Sequence, residues 1–262
     1  MNYSIIILGR EIPIYGICFY LGIAIAALVA SFICKKVNLP SYEIHYSAVF
    51  VMIGAIIGSK LLFILVSYRK IIELNVSLFA VIKGGFVFYG GLMGGFFGLL
   101  LYCTIYKIEF LRMCDVYTAV LPLGHAVGRV GCFFAGCCYG RPYNGFGAVT
   151  YTSTVGQTPL NTPLLPIQLI EAWCLLTLFV ILIFIYMKSK KTGTPSAVYL
   201  CTYAVIRFVL EYFRGDTERG KLLFLYTSQW ISIALFLGGA FIIYIMSKKT
   251  NERKTINAVS QK

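Results

Sequence analysis

Charged residues make up only 13% of this 262-residue chain, about half their share in an ordinary soluble domain. So little charge cannot clothe a globule in hydrated side chains, and it leaves no room for a separate soluble domain. The chain also lacks a basic face interleaved with aromatics, so its net charge of +13 does not indicate nucleic acid. Orientation in a membrane and attraction to anionic lipid explain the excess better. No small-residue cleavage site follows the first apolar run, and Arg10 and Glu11 precede it, so we expect a retained span and no cleaved signal peptide. Neither broken helices nor a repeated half is evident, which counts against a transporter.

What the chain has is apolar length. Hydrophobic residues reach 59% and the mean hydropathy is +0.81. The reading is an all-α, polytopic integral membrane protein, with about seven transmembrane helices at roughly 20 apolar residues each. The spans should fall at about 13–33, 45–66, 86–106, 114–136, 166–187, 195–213 and 226–246. A shorter apolar piece over about 71–82, interrupted by Glu73 and Asn75, reads as interfacial. One transmembrane helical unit is expected over residues 1–247, followed by a basic tail over 248–262. Twelve basic residues between and after the spans, among them Lys35, Lys36, Lys188, Lys190, Lys191, Lys248 and Lys249, fall on one side against eight on the other, and the positive-inside rule makes the richer side cytoplasmic. The N-terminus is then outside and the C-terminus cytoplasmic.

Small residues four apart (Gly54 and Gly58, Gly90 and Gly94, Gly94 and Gly98, Gly124 and Gly128) let helix backbones approach closely. The denser run from Lys83 to Gly91 could also line a site with exposed backbone. Five ionisable residues lie well inside predicted spans: Lys60, Arg129, Glu171, Arg207 and Glu211. Intramembrane charge is costly and usually functional, although Lys60 has a stem long enough to snorkel. Tyr203, Arg207, Glu211 and Arg214 recur at spacings of four, four and three, which predicts one face of the sixth helix. Arg207 and Glu211 could simply neutralise each other there. His125 precedes Arg129 by four residues, so both should face one cavity, whereas His45 at a predicted helix start reads as a solvated or capping residue. Of nine cysteines, six are scattered singly and read as small buried apolar residues. Only Cys132, Cys137 and Cys138 cluster.

Two arginines from different helices near the outer leaflet make a phosphate clamp. A guanidinium offers paired donors that match phosphate oxygens and keeps its charge when desolvated. In a membrane, the phosphate at hand is a phospholipid head group.

These residues also carry a family pattern. Gly128-Arg129-Val130-Gly131 with Phe133, Gly136, Gly140 and Arg141 resembles the G-R-x-G-N-F-x-N-G-E-x-x-G-R signature of prolipoprotein diacylglyceryl transferases. Tyr15-Gly16 resembles the family's N-terminal Tyr-Gly, and Gly58-Ser59-Lys60-Leu61 its G-A/S-R-L run. Pro166, Gln168 and Glu171 resemble H-P-S-Q-L-Y-E-A, and Tyr203, Arg207, Glu211 and Arg214 fit Y-x-x-x-R-x-x-x-E-x-x-R. The resemblance runs in order over essentially the whole chain. It implies an enzyme of the bacterial inner (plasma) membrane that moves a diacylglyceryl group from phosphatidylglycerol to the lipobox cysteine of a prolipoprotein signal peptide. Glycerol phosphate is released and no cofactor is implied. Carried over, Arg129 and Arg207 hold the phosphate and stabilise the leaving group, and Glu211 orients Arg207. Tyr15 and Tyr203 contact the head group. Gly90, Gly91, Gly131, Cys132, Cys137, Gly140, Gln168, Glu171 and Arg214 complete the expected substrate site.

The departures concern polar residues. The signature's asparagines are replaced by Cys132 and Ala135 and its glutamate by Cys137, with Cys138 beside it. The family's His-Gly-Gly is Tyr89-Gly90-Gly91 here, and a tyrosine with an ordinary pKa near 10 is a poor base at neutral pH. His125 is the available replacement as proton acceptor, leaving the Tyr89 hydroxyl to position lipid or substrate. The three thiols also permit a second class of function, a thiol-disulfide relay. No C-x-x-C and no quinone motif accompany them. A metal site of Cys132, Cys137, Cys138 and His125 is a third reading, with spacing unlike ordinary zinc patterns.

Overall fold

The computed structural model describes residues 4–7, 10–73, 77, 81, 84–154, 156–216 and 220–259. Seven helices among them are long and apolar enough to cross a membrane. They are α1 (Ile14–Ile33), α2 (Ser41–Glu73), α3 (Phe88–Ile105), α4 (Phe110–Ala135), α5 (Ile167–Lys188), α6 (Thr194–Leu210) and α7 (Thr227–Val259). Each expected span falls on one of these helices. Three small antiparallel ribbons supplement the helices: β1 (Ser4–Ile7) with β2 (Arg10–Pro13), β3 (Val149–Thr150) with β4 (Pro163–Leu164), and β5 (Lys221–Leu222) with β6 (Leu225–Tyr226). A helix satisfies its own backbone hydrogen bonds, which is why helices and not ribbons carry the membrane-spanning lengths.

Of the apolar piece expected to be interfacial, residues 71–73 finish α2, while 74–76, 78–80 and 82 lie outside the described residues, as does Lys83. The basic tail expected from 248 begins inside α7, which runs to Val259; residues 260–262 lie outside the described residues.

Contacts group the chain into two compact units, one of Met1–Ala30 with Cys114–Lys262 and the other of Ser31–Met113. The second unit is built on α2 and α3, and the glycine pairs are its seam. A Cβ added at Gly54 would strike the Gly94 carbonyl oxygen, and one at Gly58 the Gly90 carbonyl oxygen. Only glycine permits this approach, and it takes the place of a hydrophobic driving force that lipid does not supply. Lys60 does not snorkel. Its ammonium donates to the carbonyls of Val81, Gly84 and Gly85 at 3.2, 2.5 and 3.1 Å and lies over the Phe86 ring. It thereby pins the segment entering α3, where Tyr89, Gly90 and Gly91 form the first turn. His45 is exposed, as expected, with Nε2 3.3 Å from the Ser31 hydroxyl.

In the first unit, α5 supplies the core. Gln168, Glu171, Ala172, Leu175, Leu178, Leu182 and Tyr186 are buried along it, at the three- and four-residue intervals of a single helix face. Leu178 and Leu182 pack with Tyr199 of α6, and Ala172 and Leu175 with Ala126 of α4. The position of α6 is fixed by Asp115 of α4, which is 4% exposed. Its carboxylate accepts hydrogen bonds from Gly193 N at 2.6 Å, Ser196 N at 3.1 Å and Ser196 Oγ at 2.7 Å. A carboxylate on the orphan amides of a helix N-terminus satisfies those donors and the helix dipole together.

Candidate functional site

The buried face of α5 is apolar except at its N-terminal end, where Gln168 and Glu171 are 1% and 2% exposed. A carboxylate that deep needs a cation, and α4 supplies one: Arg129 Nη2 lies 3.0 Å from Glu171 Oε1. His125, one turn earlier on α4, points to the same oxygen from 3.9 Å, which is ionic range and too long for a hydrogen bond. The four-residue spacing thus brings both side chains to one place, as expected. The His125 ring also meets Tyr203 of α6 edge-on, with centroids 5.6 Å apart, and Tyr203 stacks on Tyr199.

On α6, Arg207 Nη2 is 2.8 Å from Glu211 Oε2. His125 lies within electrostatic reach of both Arg129 and Arg207, so α4 and α6 direct their guanidiniums into one neighbourhood beside the α5 terminus. Each arginine also keeps a buried nitrogen without a hydrogen-bond acceptor among the described residues, Nε of Arg129 and Nη1 of Arg207. Two such donors amid apolar helices are costly to leave unpaired.

Arg214 departs from expectation. The helical face predicted for Tyr203, Arg207, Glu211 and Arg214 ends early, because α6 stops at Leu210 and tightens into a 3-10 turn at Glu211–Phe213. Arg214 follows in extended backbone at ψ 145° and is bridged to Gly140. Its guanidinium grips Asp216 through two hydrogen bonds, of 3.0 and 2.6 Å. Neighbouring strand-like contacts hold the same layer: Arg141 N donates to Phe213 O, Gly215 N to Tyr139 O and Leu165 N to Arg141 O. Gly140 sits at the tightest point, where a Cβ would strike the Leu165 carbonyl oxygen.

The thiols gather because of how α4 ends. Gly136 takes the left-handed conformation at φ 66°. Cys137 N donates to Cys132 O at 3.2 Å and Gly136 N to Phe133 O at 3.3 Å. This pair of bonds is the Schellman helix stop, which folds the residue after the glycine back over the final turn. Cys137 is that residue and Cys132 is the one it meets. Cys138, also left-handed at φ 55°, turns in as well. The sulfurs of Cys132, Cys137 and Cys138 all lie within 4.8 Å of one another and none is in a disulfide. Hydrogen bonds from Cys132 and Cys137 hold the Cys138 thiol below its ordinary pKa, and the Arg214 and Arg129 charges add to this. The same contacts raise Cys137.

A loop that carried no signal in the sequence locks this turn. Thr154 Oγ1 donates to Ala135 O at 2.8 Å, Thr158 Oγ1 to Gly136 O, and Tyr151 OH to Phe133 O at 2.9 Å. Burial pushes the Tyr151 phenol up to about 12. Gln168 Nε2 donates to Cys137 O at 2.8 Å, so Gln168 and Glu171 both serve to position their neighbours. Gly131 lets α1 approach: a Cβ there would sit 2.8 Å from the Cys18 Cβ and 3.3 Å from the Tyr15 Cα. Tyr15 is thereby set within electrostatic reach of Arg129 and the three thiols. His125 stays with Glu171 and Tyr203, so the compact metal-capable group among the described residues is the three cysteines without the histidine. Tyr89, Gly90 and Gly91 belong to the other unit.

Known proteins give this arrangement a lineage. Residues 3–245 match the family described as prolipoprotein diacylglyceryl transferase. A phosphatidylglycerol--prolipoprotein diacylglyceryl transferase of Clostridium tetani is 34% identical over 237 residues, covering 90% of this chain and 94% of that protein. The protein named transferase 2 of this type in Clostridium perfringens is 29% identical over 252 residues, covering 95% and 96%. An Acinetobacter baumannii relative of the same name is 30% identical over 248 residues, covering 90% and 88%. A multi-pass membrane protein by its seven apolar helices, the chain belongs to the prolipoprotein diacylglyceryl transferase family.

Proposed function

We propose that this chain transfers the diacylglyceryl group of phosphatidylglycerol to the lipobox cysteine thiol of a prolipoprotein signal peptide, in the bacterial inner (plasma) membrane. Its N-terminus and the Cys137–Arg141 segment face outwards. The observation that carries the reading is the two buried pairs Arg129–Glu171 and Arg207–Glu211, each guanidinium retaining one nitrogen with no acceptor among the described residues. The carboxylates hold the forks in place, and the remaining donors serve a phosphodiester.

The reaction gives this clamp its use. The acceptor sulfur attacks the glyceryl carbon next to the phosphate ester oxygen, forming the thioether. The carbon–oxygen bond breaks and its electron pair goes to the phosphate, so glycerol phosphate leaves with one more negative charge than the diester carried. Donors aimed at that growing charge stabilise the transition state more than the ground state. His125 takes the thiol proton, and Tyr15 and Tyr203 contact the head group. The test is to incubate the purified protein, in membranes containing phosphatidylglycerol, with a lipobox peptide. Mass spectrometry should then find the peptide heavier by one diacylglyceryl group, and an unmodified peptide would reject the reading.

A further inference from the structure

The family's activity makes no use of three thiols, yet the fold gathers them. Cys132, Cys137 and Cys138 replace or adjoin polar signature positions, and their sulfurs meet within 4.8 Å. Around a tetrahedral ion with metal–sulfur bonds of about 2.3 Å, sulfurs stand roughly 3.8 Å apart, so the cluster already has nearly the spacing that such an ion demands. The arrangement is held from outside. Gln168 fixes the Cys137 carbonyl, and Thr154 and Thr158 fix that of Gly136. Cys138 is kept at φ 55°, where a non-glycine residue is strained. An ion that needs its ligands pre-oriented finds them so. Three thiolates on a divalent ion carry one net negative charge, and Arg129 and Arg214 both lie within electrostatic reach of the cluster.

We propose that Cys132, Cys137 and Cys138 bind a thiophilic divalent cation of the zinc type, and that its open fourth position receives the acceptor cysteine as a thiolate. The inference rests on the transferase reading for the identity of that fourth ligand. Three protein ligands and one vacant position are the usual form of a catalytic zinc site, and a thiol that coordinates such an ion gives up its proton. Here the proton passes to His125, the metal–sulfur bond keeps the acceptor nucleophilic, and attack on the glyceryl carbon then proceeds as above without any change of oxidation state. Cys132 lies three residues beyond Arg129 on α4, about one helical turn. The thiolate is therefore delivered beside the guanidinium that holds the phosphate. A soft-metal centre thus occupies the part of the site where the family's signature has asparagine and glutamate.

Cobalt reports such a site directly. The full-length protein, reduced and in lipid nanodiscs, should take up one Co²⁺ per chain with near-ultraviolet sulfur-to-cobalt absorption. Each of Cys132→Ser, Cys137→Ser and Cys138→Ser should remove about one third of that absorption or abolish binding, given three sulfur ligands. Adding the lipobox peptide should raise the absorption by about one further third, and its Cys→Ser analogue should not. Failure to bind cobalt stoichiometrically, a disulfide within the trio in the active protein, or full transfer by chelator-stripped protein would each overturn the inference. The last result would leave the transferase reading standing. Cobalt ligation by the peptide thiol without any diacylglyceryl transfer would uphold the metal site and remove the transferase reading instead.

Discussion

The α2–α3 pair and the α4–α5–α6 group solve the same problem in different ways. Both must hold helices together in lipid, where apolar burial gives little advantage. The α2–α3 pair does so with backbone, glycine against glycine, and the ammonium of Lys60 is taken up by backbone carbonyls. In the α4–α5–α6 group, side-chain charges answer each other across and along helices: Arg129 with Glu171, Arg207 with Glu211. A charge whose partners are backbone groups is fully used by the fold. A guanidinium that faces a carboxylate and still holds a buried donor in reserve has a further partner to take.

The largest effect should come from weakening that reserve without removing the charge. Arg129→Lys and Arg207→Lys each keep a cation opposite Glu171 or Glu211, so the fold should survive, but lysine cannot make the planar paired contact. Transfer should fall by about a hundredfold or more, the usual effect of losing a preorganised donor to a developing oxyanion. Steady-state kinetics in phosphatidylglycerol vesicles would measure it. Near-normal turnover in either variant would erase the contrast between the two regions.

Next in size is the proposed proton acceptor. His125→Gln should lower turnover by about a hundredfold, at the low end for a lost general base, while Tyr89→Phe in the other unit should be milder. The reverse order would return the base to the tyrosine that stands in the family's histidine position.

The glycine seam should respond in stability. Gly94→Ala places a methyl group against the Gly54 carbonyl and should cost roughly 1–3 kcal/mol, as overpacking does. Gly95→Ala, whose methyl would find Val51 Cγ1 at 3.4 Å, should change thermal stability little. Equal melting temperatures for the two variants would show that α2 and α3 are not closely packed in the membrane.

Much of this was legible in the sequence. Apolar length alone located all seven spans, since the bilayer fixes it. The four-residue spacing of His125 with Arg129 survived inside regular helix, and that of Arg207 with Glu211 survived because Glu211 keeps helical dihedrals as the first residue of the 3-10 turn. Where regularity ends, the reading failed. Arg214 left its predicted face because Glu211–Phe213 tightens into a 3-10 turn. Cys132, Cys137 and Cys138 stood out as a cluster, but their spacing does not show that a Schellman stop is what folds them onto one another. Gly136 was the available signal for it, a glycine directly after an apolar helix. The grip of Thr154 and Thr158 on that turn depends on a loop path with no periodicity to read.

Asp115 belongs to neither class of the comparison at first sight and so tests it. It is an acidic residue buried in α4, in the same unit as the arginines, and a lone intramembrane carboxylate is a functional candidate by default. Its partners, though, are Gly193 N, Ser196 N and the Ser196 hydroxyl, so by the criterion drawn from Lys60 it should be structural. Asp115→Asn keeps one oxygen to accept from the α6 amides but loses the charge opposite the helix dipole. The expected loss is about 1 kcal/mol, the ordinary worth of a capping and dipole interaction. Turnover per folded molecule should stay within about twofold of the parent, because a displacement that small in energy leaves Tyr203 and Arg207 on their helix. Thermal unfolding in detergent measures the first and active-site-titrated transfer the second. A stable Asp115→Asn protein with little transfer would place this carboxylate in the chemistry, and backbone partnership would no longer separate the two kinds of buried charge.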